Sequence, residues 1–323
     1  MAKAIRIEKI GGPEVLRFVD VEVGAPGPGQ ARVRNTAIGV NFVDIYHRTG
    51  LYPLPLPAGL GVEGVGVVEA VGGGVAQVKP GDRVAYRSAP GSYATEAIFP
   101  AELMMKLPDS ITDLTAAGGW MKGLTVAALI LRTYPVQRGE TVLLHAAAGG
   151  VGLLATQWLK ALGARVIGVV STDAKAAFAR AHGCDEVVVT AREDFVARVR
   201  ALTDGEGVPV VYDSVGKATF EGSLDCLRPL GMMVSFGNAS GPVPPVDVGL
   251  LGRKGSLFLT RPSVFTYIAK RADLERYAGA LFDVLRSGKV KIEVTRTWPL
   301  AEAAEAHRAL EARATTGSLV LLP

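Results

Sequence analysis

From Thr141 onward the chain alternates short β-branched runs with helical segments, and this alternation restricts its fold more than any other feature. TVLLH (141–145) reads as a strand, and VGLLATQWLKALG (151–163) as a helix closed by Gly163. ARVIGVV (164–170), EVVVT (186–190), VPVVYD (208–213) and MMVSFG (232–237) read as further strands. Between them KAAFARAHG (175–183), EDFVARVRALTDG (193–205) and TFEGSLDCLRPLG (219–231) carry helical spacing. Strands without a polar face, each followed by a helix, mark a parallel sheet covered on both sides. A doubly wound, dinucleotide-binding α/β fold follows.

The segment joining the first strand to the first helix is HAAAGGVG (145–152), whose Ala147-x-Gly149-x-x-Gly152 is a variant of GxGxxG. Gly149 lets the backbone approach a pyrophosphate, and Gly152 lets the helix pack closely on the strand. The free N–H groups and dipole of the helix start favour an anion. An NAD enzyme carries Asp or Glu at the end of the second strand, to accept from the ribose hydroxyls. Here that strand ends Val169-Val170-Ser171-Thr172, with the nearest acid, Asp173, beyond it. A carboxylate there would repel a 2′-phosphate, whereas hydroxyls and Lys175 would accept one. NADP(H) is therefore favoured over NAD(H), the alternative for Lys175 being a solvated helix residue.

Residues 1 to about 120 differ in character. Short alternations such as ARVRNTAIGV, GVGVVEAV and DRVAY are punctuated by Gly and Pro turns, which suggests a partly closed, barrel-like sheet. LTAAGGWMKGLTVAALILRTY (114–134) then takes helical spacing. After LFLTR (257–261) come two helical stretches and a last strand, SLVLLP, which lack partners of their own kind and are expected to return to the first domain.

Charge and cysteine usage narrow the function. The excess of 35 basic over 31 acidic residues is scattered, its longest cluster being RKG at 253–255, so no basic patch recommends nucleic acid as a partner. Cys184 and Cys226 lack CxxC spacing, which excludes a disulfide framework and an all-cysteine zinc site. Residues 141–159 carry no formal charge over nearly a bilayer's thickness, yet clustered glycines, His145 and Gln157 argue against a span. MAKAIRIEKI alternates like a strand and lacks a signal peptide's apolar core, so a cytoplasmic location is expected.

The run NFVDIYHRTGLYPLPLPAGLGVEGVG from Asn41, with AAAGGVG, VVYDSVG, MVSFGNASG and the ending RATTGSLVLLP, resembles one family almost end to end. It is similar to the zinc-free, zeta-crystallin-like NADPH:quinone oxidoreductases of the medium-chain dehydrogenase/reductase superfamily. The resemblance implies a GroES-like, partly open β-barrel catalytic domain (1–122, completed by 262–323) and a Rossmann NADP-binding domain (123–261). It implies homodimers through the edge of the Rossmann sheet, with LFLTR as the candidate strand.

By the same resemblance Asn41, Tyr46 and Tyr52 lie around nicotinamide and quinone. Asn41 donates to cofactor or quinone, Tyr52 donates or relays a proton, and Tyr46 walls the ring. Packing at a domain interface is the alternative for the tyrosines, and a satisfied turn amide for Asn41. Thr125 faces the nicotinamide end, and Gly149, Gly150, Val151 and Gly152 the pyrophosphate. Ser214 follows the fourth strand, Phe236, Gly237 and Asn238 the fifth, and Arg261 and Ser263 come from TRPS. Ser171, Lys175 and Arg313 are the candidates for the 2′-phosphate, Arg313 being alternatively a helix cap. Thr190 stands where close relatives stack an aromatic on adenine.

Zinc alcohol dehydrogenases of the superfamily hold their catalytic metal with Cys, a His-Glu pair and a second Cys or Asp. Here Asn41 replaces the Cys, Val62 precedes Glu63, and no cysteine lies before residue 184, so no zinc is expected. His47 reads as a lone histidine of the surface or cleft. A quinone needs no Lewis acid, and its hydroquinone anion can take a proton from water. Two other functions stay open: reduction of an activated C=C bond in an enone or enoyl thioester, and a non-catalytic, NADPH-binding or RNA-contacting crystallin-like role.

Overall fold

The computed structural model describes residues 1–323. The first of its two compact units comprises Met1–Lys122, Lys270–Phe282 and Ile292–Pro323, and the second Gly123–Ala269 and Asp283–Lys291.

In the first unit the chain runs through β1 (Ala2–Ile7), β2 (Arg17–Val21), β3 (Gln30–Val40), α1 (Phe42–Thr49) and β4 (Ala58–Gly59). It continues through β5 (Glu63–Val71), β6 (Arg83–Arg87), β7 (Glu96–Pro100) and β8 (Met104–Lys106) into α2 (Asp113–Ala128). The second unit holds β9 (Thr141–His145), α3 (Gly150–Leu162), β10 (Arg165–Val170), α4 (Asp173–Ala181), β11 (Glu186–Val189) and α5 (Phe195–Leu202). Then come β12 (Val208–Asp213), α6 (Phe220–Asp225), β13 (Leu227–Ser235), α7 (Val248–Arg253), β14 (Phe258–Thr260) and α8 (Val264–Tyr267). The chain ends with α9 (Arg271–Arg286), β15 (Val294–Pro299), α10 (Ala303–Glu311) and β16 (Ser318–Leu322).

The first unit is built on β3, which pairs antiparallel with β5, β7 and β16. A seven-stranded sheet ordered β15-β16-β3-β5-β6-β8, with β7 also on β3, stands beside a three-stranded sheet, β2-β1-β4. The returning strand β16 sets Leu319 against Val40 and Leu321 against Ile38. Ile5, Ile7, Ile38, Leu60 and Leu321 form one buried cluster, and Val33, Val68, Val84, Tyr86 and Met104 another.

The second unit is a six-stranded sheet, all its pairs parallel, in the order β11-β10-β9-β12-β13-β14. Connections run to one side from β9 and to the other from β12, and ligands bind where such an order reverses, beyond the strands' carboxyl ends. Leu143, Ile167, Val188, Val211 and Met233 are among its buried core.

One expectation needs correction. The helix expected over 219–231 is only α6, because Pro229 offers no N–H and Leu230 takes a left-handed φ of 60°. Residues 228–231 bulge out of β13 instead, since Val208 pairs with Leu227 and the next pair is Val210 with Met232. The uncharged stretch 141–159 divides between β9 and α3, and the helix that is apolar and long enough to cross a membrane, 113–133, is largely buried inside the protein. Its last turn widens to π geometry, with Tyr134 N–H donating to Leu129.

Candidate active site

At the carboxyl end of β9 the chain turns through Ala146, which has φ 53°, and enters α3 at Gly149. No side chain caps this helix, and Leu153 N–H makes the bond to Gly149 that begins its ladder. The N–H groups of Gly150, Val151 and Gly152 therefore lack intrahelical partners, as the first groups of a helix do. A Cβ on Gly152 would lie 2.2 Å from the Ala146 carbonyl oxygen, so only glycine lets the helix start this close to its strand. At Gly149 the nearest atom to a Cβ is that same oxygen, at 3.3 Å. An uncapped first turn over a tight glycine bend fits a pyrophosphate.

Beyond β10, Ser171 and Thr172 are exposed, and Lys175 lies half-buried in the first turn of α4. Thr172 Oγ1 caps that helix, accepting from Lys175 N–H at 3.3 Å. Arg192, which sequence reading passed over, reaches the carboxylate of Asp173 at 2.9 Å. Thr190 is tied to Val170, its backbone N–H donating to the carbonyl oxygen at 2.9 Å.

The loops after β12 and β13 meet closely, for a Cβ on Gly237 would stand 2.3 Å from the Ser214 carbonyl oxygen. Asp213, unnoticed in the sequence, organises them from full burial. Its Oδ1 accepts from Val215 and Gly216 N–H at 2.7 and 3.0 Å, and its Oδ2 from Thr219 and Ser223 hydroxyls at 2.6 and 3.0 Å. Because Ser223 spends its one hydrogen on Asp213, the 2.9 Å bond between Ser223 Oγ and His145 Nε2 has the imidazole as donor. Burial lowers the pKa of His145, against the pull of Asp213, and keeps the ring neutral. Phe236 N–H donates to Asp213 O at 2.8 Å. The Asn238 amide turns its oxygen to Arg261 Nη2 at 3.1 Å, and Arg261 Nη1 donates to Ser235 O at 2.9 Å. Thr125 lies on α2, and Ser263 directly precedes α8.

In the first unit, α1 starts immediately after Asn41. Tyr46 and Tyr52 meet edge to face with ring centroids 5.2 Å apart, and Tyr52 N–H donates to Tyr46 O at 3.0 Å. His47 lies 6.0 Å from the Tyr52 ring, and partial burial lowers its pKa. Arg313 lies elsewhere in this unit, just past α10, with left-handed φ 53° and its N–H donating to Leu310 O.

Below Asn41 is a set of buried charges that sequence reading missed. Asn41 Nδ2 donates to Glu63 Oε1 at 2.6 Å, and Met121 N–H to Glu63 Oε2 at 3.0 Å. Lys122 Nζ lies 4.0 Å from Glu63 Oε1 and donates to Val40 O at 3.2 Å. Burial raises the pKa of Glu63, opposed by Lys122, Asn41 and Met121, and lowers that of Lys122, opposed by Glu63 and Asp44. Both Glu63 oxygens face N–H donors, which favours the ionised carboxylate.

Asp44 ends a second buried chain. Its Oδ2 accepts from Asn41 N–H at 2.8 Å and from Tyr93 OH at 3.0 Å. Tyr93 OH lies 3.2 Å from His307 Nε2, and His307 Nδ1 lies 3.2 Å from Arg48 Nη1. Guanidinium only donates, so Nδ1 accepts and Nε2–H donates to Tyr93. Desolvation pushes Asp44 up to about 7. Desolvation, with Arg48 adding to it, takes His307 down to about 3.

Comparison with known proteins follows the same division. Residues 27–109 match the alcohol dehydrogenase GroES-like domain, and residues 150–280 the zinc-binding dehydrogenase family. Zinc does not fit the residues present: no three His, Cys, Asp or Glu side chains come together to hold a metal. The thiols of Cys184 and Cys226 are buried in the second unit and pushed up to about 11 and about 12 by desolvation, so neither offers a thiolate. A quinone oxidoreductase of Pseudomonas aeruginosa is 52% identical over 325 residues, 100% of each chain. A 2-haloacrylate reductase of a Burkholderia species is 46% identical over 100% of this chain and 99% of its own. The crystal structure of the Escherichia coli quinone oxidoreductase complexed with NADPH superposes with a TM-score of 0.98 at 48% identity, covering 99% of this chain and 100% of that one.

Proposed function

The chain belongs to the quinone oxidoreductase family of the medium-chain dehydrogenase/reductases, and from that premise we propose that it is an NADPH-dependent quinone reductase. The observation that carries this reading is 52% identity to a quinone oxidoreductase across the full length of both chains. NADPH supplies a hydride when bound, and a quinone is electrophilic enough to take it without a Lewis acid. We assign no zinc, because the donors for a tetrahedral site are absent.

On this reading the N–H groups of Gly150, Val151 and Gly152 bind the pyrophosphate. Ser171, Lys175 and Arg313 serve the 2′-phosphate, which the uncharged end of β10 admits. Thr125, Ser214, Phe236, Gly237, Asn238, Arg261 and Ser263 line the rest of the cofactor. Asn41, Tyr46 and Tyr52 serve the reacting end, where they orient the ring, exclude water and steady developing oxyanion charge. A hydroquinone anion takes its final proton from water or through Tyr52.

A second copy of the chain is the expected partner. The outer strand β14 leaves Phe258 and Leu259 exposed at 55% and 36%, and such edges pair readily. The cytoplasm is the expected location, since NADPH is an intracellular reductant.

Steady-state oxidation of NADPH and NADH by purified protein, with a small benzoquinone as acceptor, tests the proposal. Saturable turnover with NADPH preferred supports it. The 46% identity to a 2-haloacrylate reductase favours one second reading, reduction of an activated C=C bond. Turnover of enones with none of quinones would put that reading first.

A further inference from the structure

We propose that Glu63 and Lys122 are positioning residues that hold the side-chain amide of Asn41 in a single orientation for hydride transfer and act through it. This rests on the role given to Asn41 above.

Three elements converge on the carboxylate. Glu63 opens β5 and is buried to 1% side-chain exposure, while Lys122 on α2 is buried to 7%. The two oxygens of Glu63 are divided between Asn41 Nδ2 and the backbone N–H of Met121. The third element, β3, makes the room. A Cβ on Gly39 would fall 2.3 Å from Glu63 Oε1 and 2.5 Å from the Ala117 carbonyl oxygen. Any side chain at position 39 would displace the carboxylate from Asn41.

The chemistry sets the direction of the amide. A carboxylate accepts and never donates, so Asn41 must meet it with Nδ2. Its Oδ1 then turns away from Glu63, toward the Asp44 N–H at the start of α1, and the second hydrogen of Nδ2 is the one left to donate at the reacting end. A neutral partner such as glutamine could meet either end of the amide and would leave both orientations populated. Burying a carboxylate is costly, and an apolar pair of like volume would pack as well or better. The buried charge has a use in fixing which atom Asn41 presents, and Lys122 opposes the upward push of burial on Glu63 and so favours its ionised form. Misorientation of a group at the reacting centre slows the chemical step more than it weakens binding.

A double-mutant cycle in the full-length chain tests this, with Asn41→Ala, Glu63→Gln and the double variant. The readouts are kcat and the KM for NADPH with a small benzoquinone, together with melting temperature. Glu63→Gln is expected to lower kcat about 10- to 100-fold while the KM changes less than about threefold. In the Asn41→Ala background the same change should alter kcat by less than about twofold, because the group it orients is gone. Multiplicative losses would overturn the proposal, as would a Glu63→Gln enzyme with wild-type kcat. Lys122→Met leaves the carboxylate in place and should show the same dependence on Asn41, which decides the matter if Glu63→Gln does not fold. Wild-type protein that reduces an activated alkene and no quinone would defeat the quinone reading alone, and the cycle run on the alkene would still decide this one.

Discussion

A Cβ on Gly168 of β10 would stand 2.8 Å from the Cβ of Ala147 and 2.7 Å from Cys184 Sγ. The cofactor loop can therefore carry alanine at its first motif position because the neighbouring strand has no side chain beneath it. Gly168→Ala should destabilise the protein by about 1–3 kcal/mol, the cost of overfilling a packed core. It should also weaken NADPH binding, because the relief available is movement of the loop. Thermal unfolding and a fluorescence titration with NADPH check this, and adding Ala147→Gly should restore part of both losses. A Gly168→Ala protein with unchanged stability would mean that Cys184 and the loop yield freely.

Lys175→Ala should weaken NADPH about 10- to 100-fold and NADH hardly at all, the difference being one charge-assisted bond to the 2′-phosphate. Dissociation constants for both cofactors decide it. Equal losses for both would remove Lys175 from that role and leave Ser171 and Arg313 as the candidates.

Asp44 and His307 belong to one buried hydrogen-bonded chain and oppose each other in pH. Folding raises Asp44 from 3.8 to about 7, so its contribution is present below 3.8 and is lost as pH rises toward 7. His307 falls from 6.5 to about 3, so its contribution is present above 6.5 and is lost as pH falls toward 3. Between pH 4 and 6.5 the two slopes, each up to about 1.4 kcal/mol per pH unit, run in opposite directions and nearly cancel. Asp44→Asn removes one of them. Its stability should rise with pH across this window relative to wild type, and it should exceed wild type most at pH 8, where wild type holds a buried carboxylate. Denaturant melts at pH 4.5, 6.5 and 8 measure this. Parallel pH curves for the two proteins would show that Asp44 titrates normally.

The sheet of the second unit was legible because its strands carry apolar residues on both faces and several follow a glycine that closes the preceding element, as at Gly163, Gly183 and Gly207. TVLLH and VPVVYD fall on β9 and β12 residue for residue. Helical spacing ran on past Asp225 because Leu227 and Leu230 continue the period, and periodicity does not register a bulge. The glycine loop was legible for a local reason: its three roles lie within one turn of chain. Glu63 and Lys122 were not, since a charge in sequence carries no sign of burial. That depends on Gly39 and Asn41, which only the sheet brings alongside. Asp213 was hidden for the same reason, since nothing in VVYD marks its carboxylate as buried among the N–H groups and hydroxyls of the loop that follows it and of α6.

Asp213 supports the last prediction. It is wholly buried, and each of its oxygens accepts two bonds from obligatory donors or from hydroxyls oriented by it. Asp213→Asn must turn an NH₂ group toward one of those pairs. If it faces Val215 and Gly216, two backbone N–H groups lose their acceptor. If it faces Thr219 and Ser223, the hydroxyls must reverse, and Ser223 Oγ, now accepting from the amide, no longer has the same geometry for His145 Nε2–H. Either way a buried donor is left unsatisfied, for a loss of about 1–3 kcal/mol per orphaned group. The turn from Ser214 to Gly216 should loosen with it, so NADPH affinity should fall alongside stability although Asp213 itself is sealed from the ligand. Ser223→Ala breaks only the helix side of the network and should lower stability with less effect on NADPH. A Ser223→Ala protein that loses NADPH affinity as severely as Asp213→Asn would show that the loop is held from the helix, through His145, and not from the backbone bonds of Asp213.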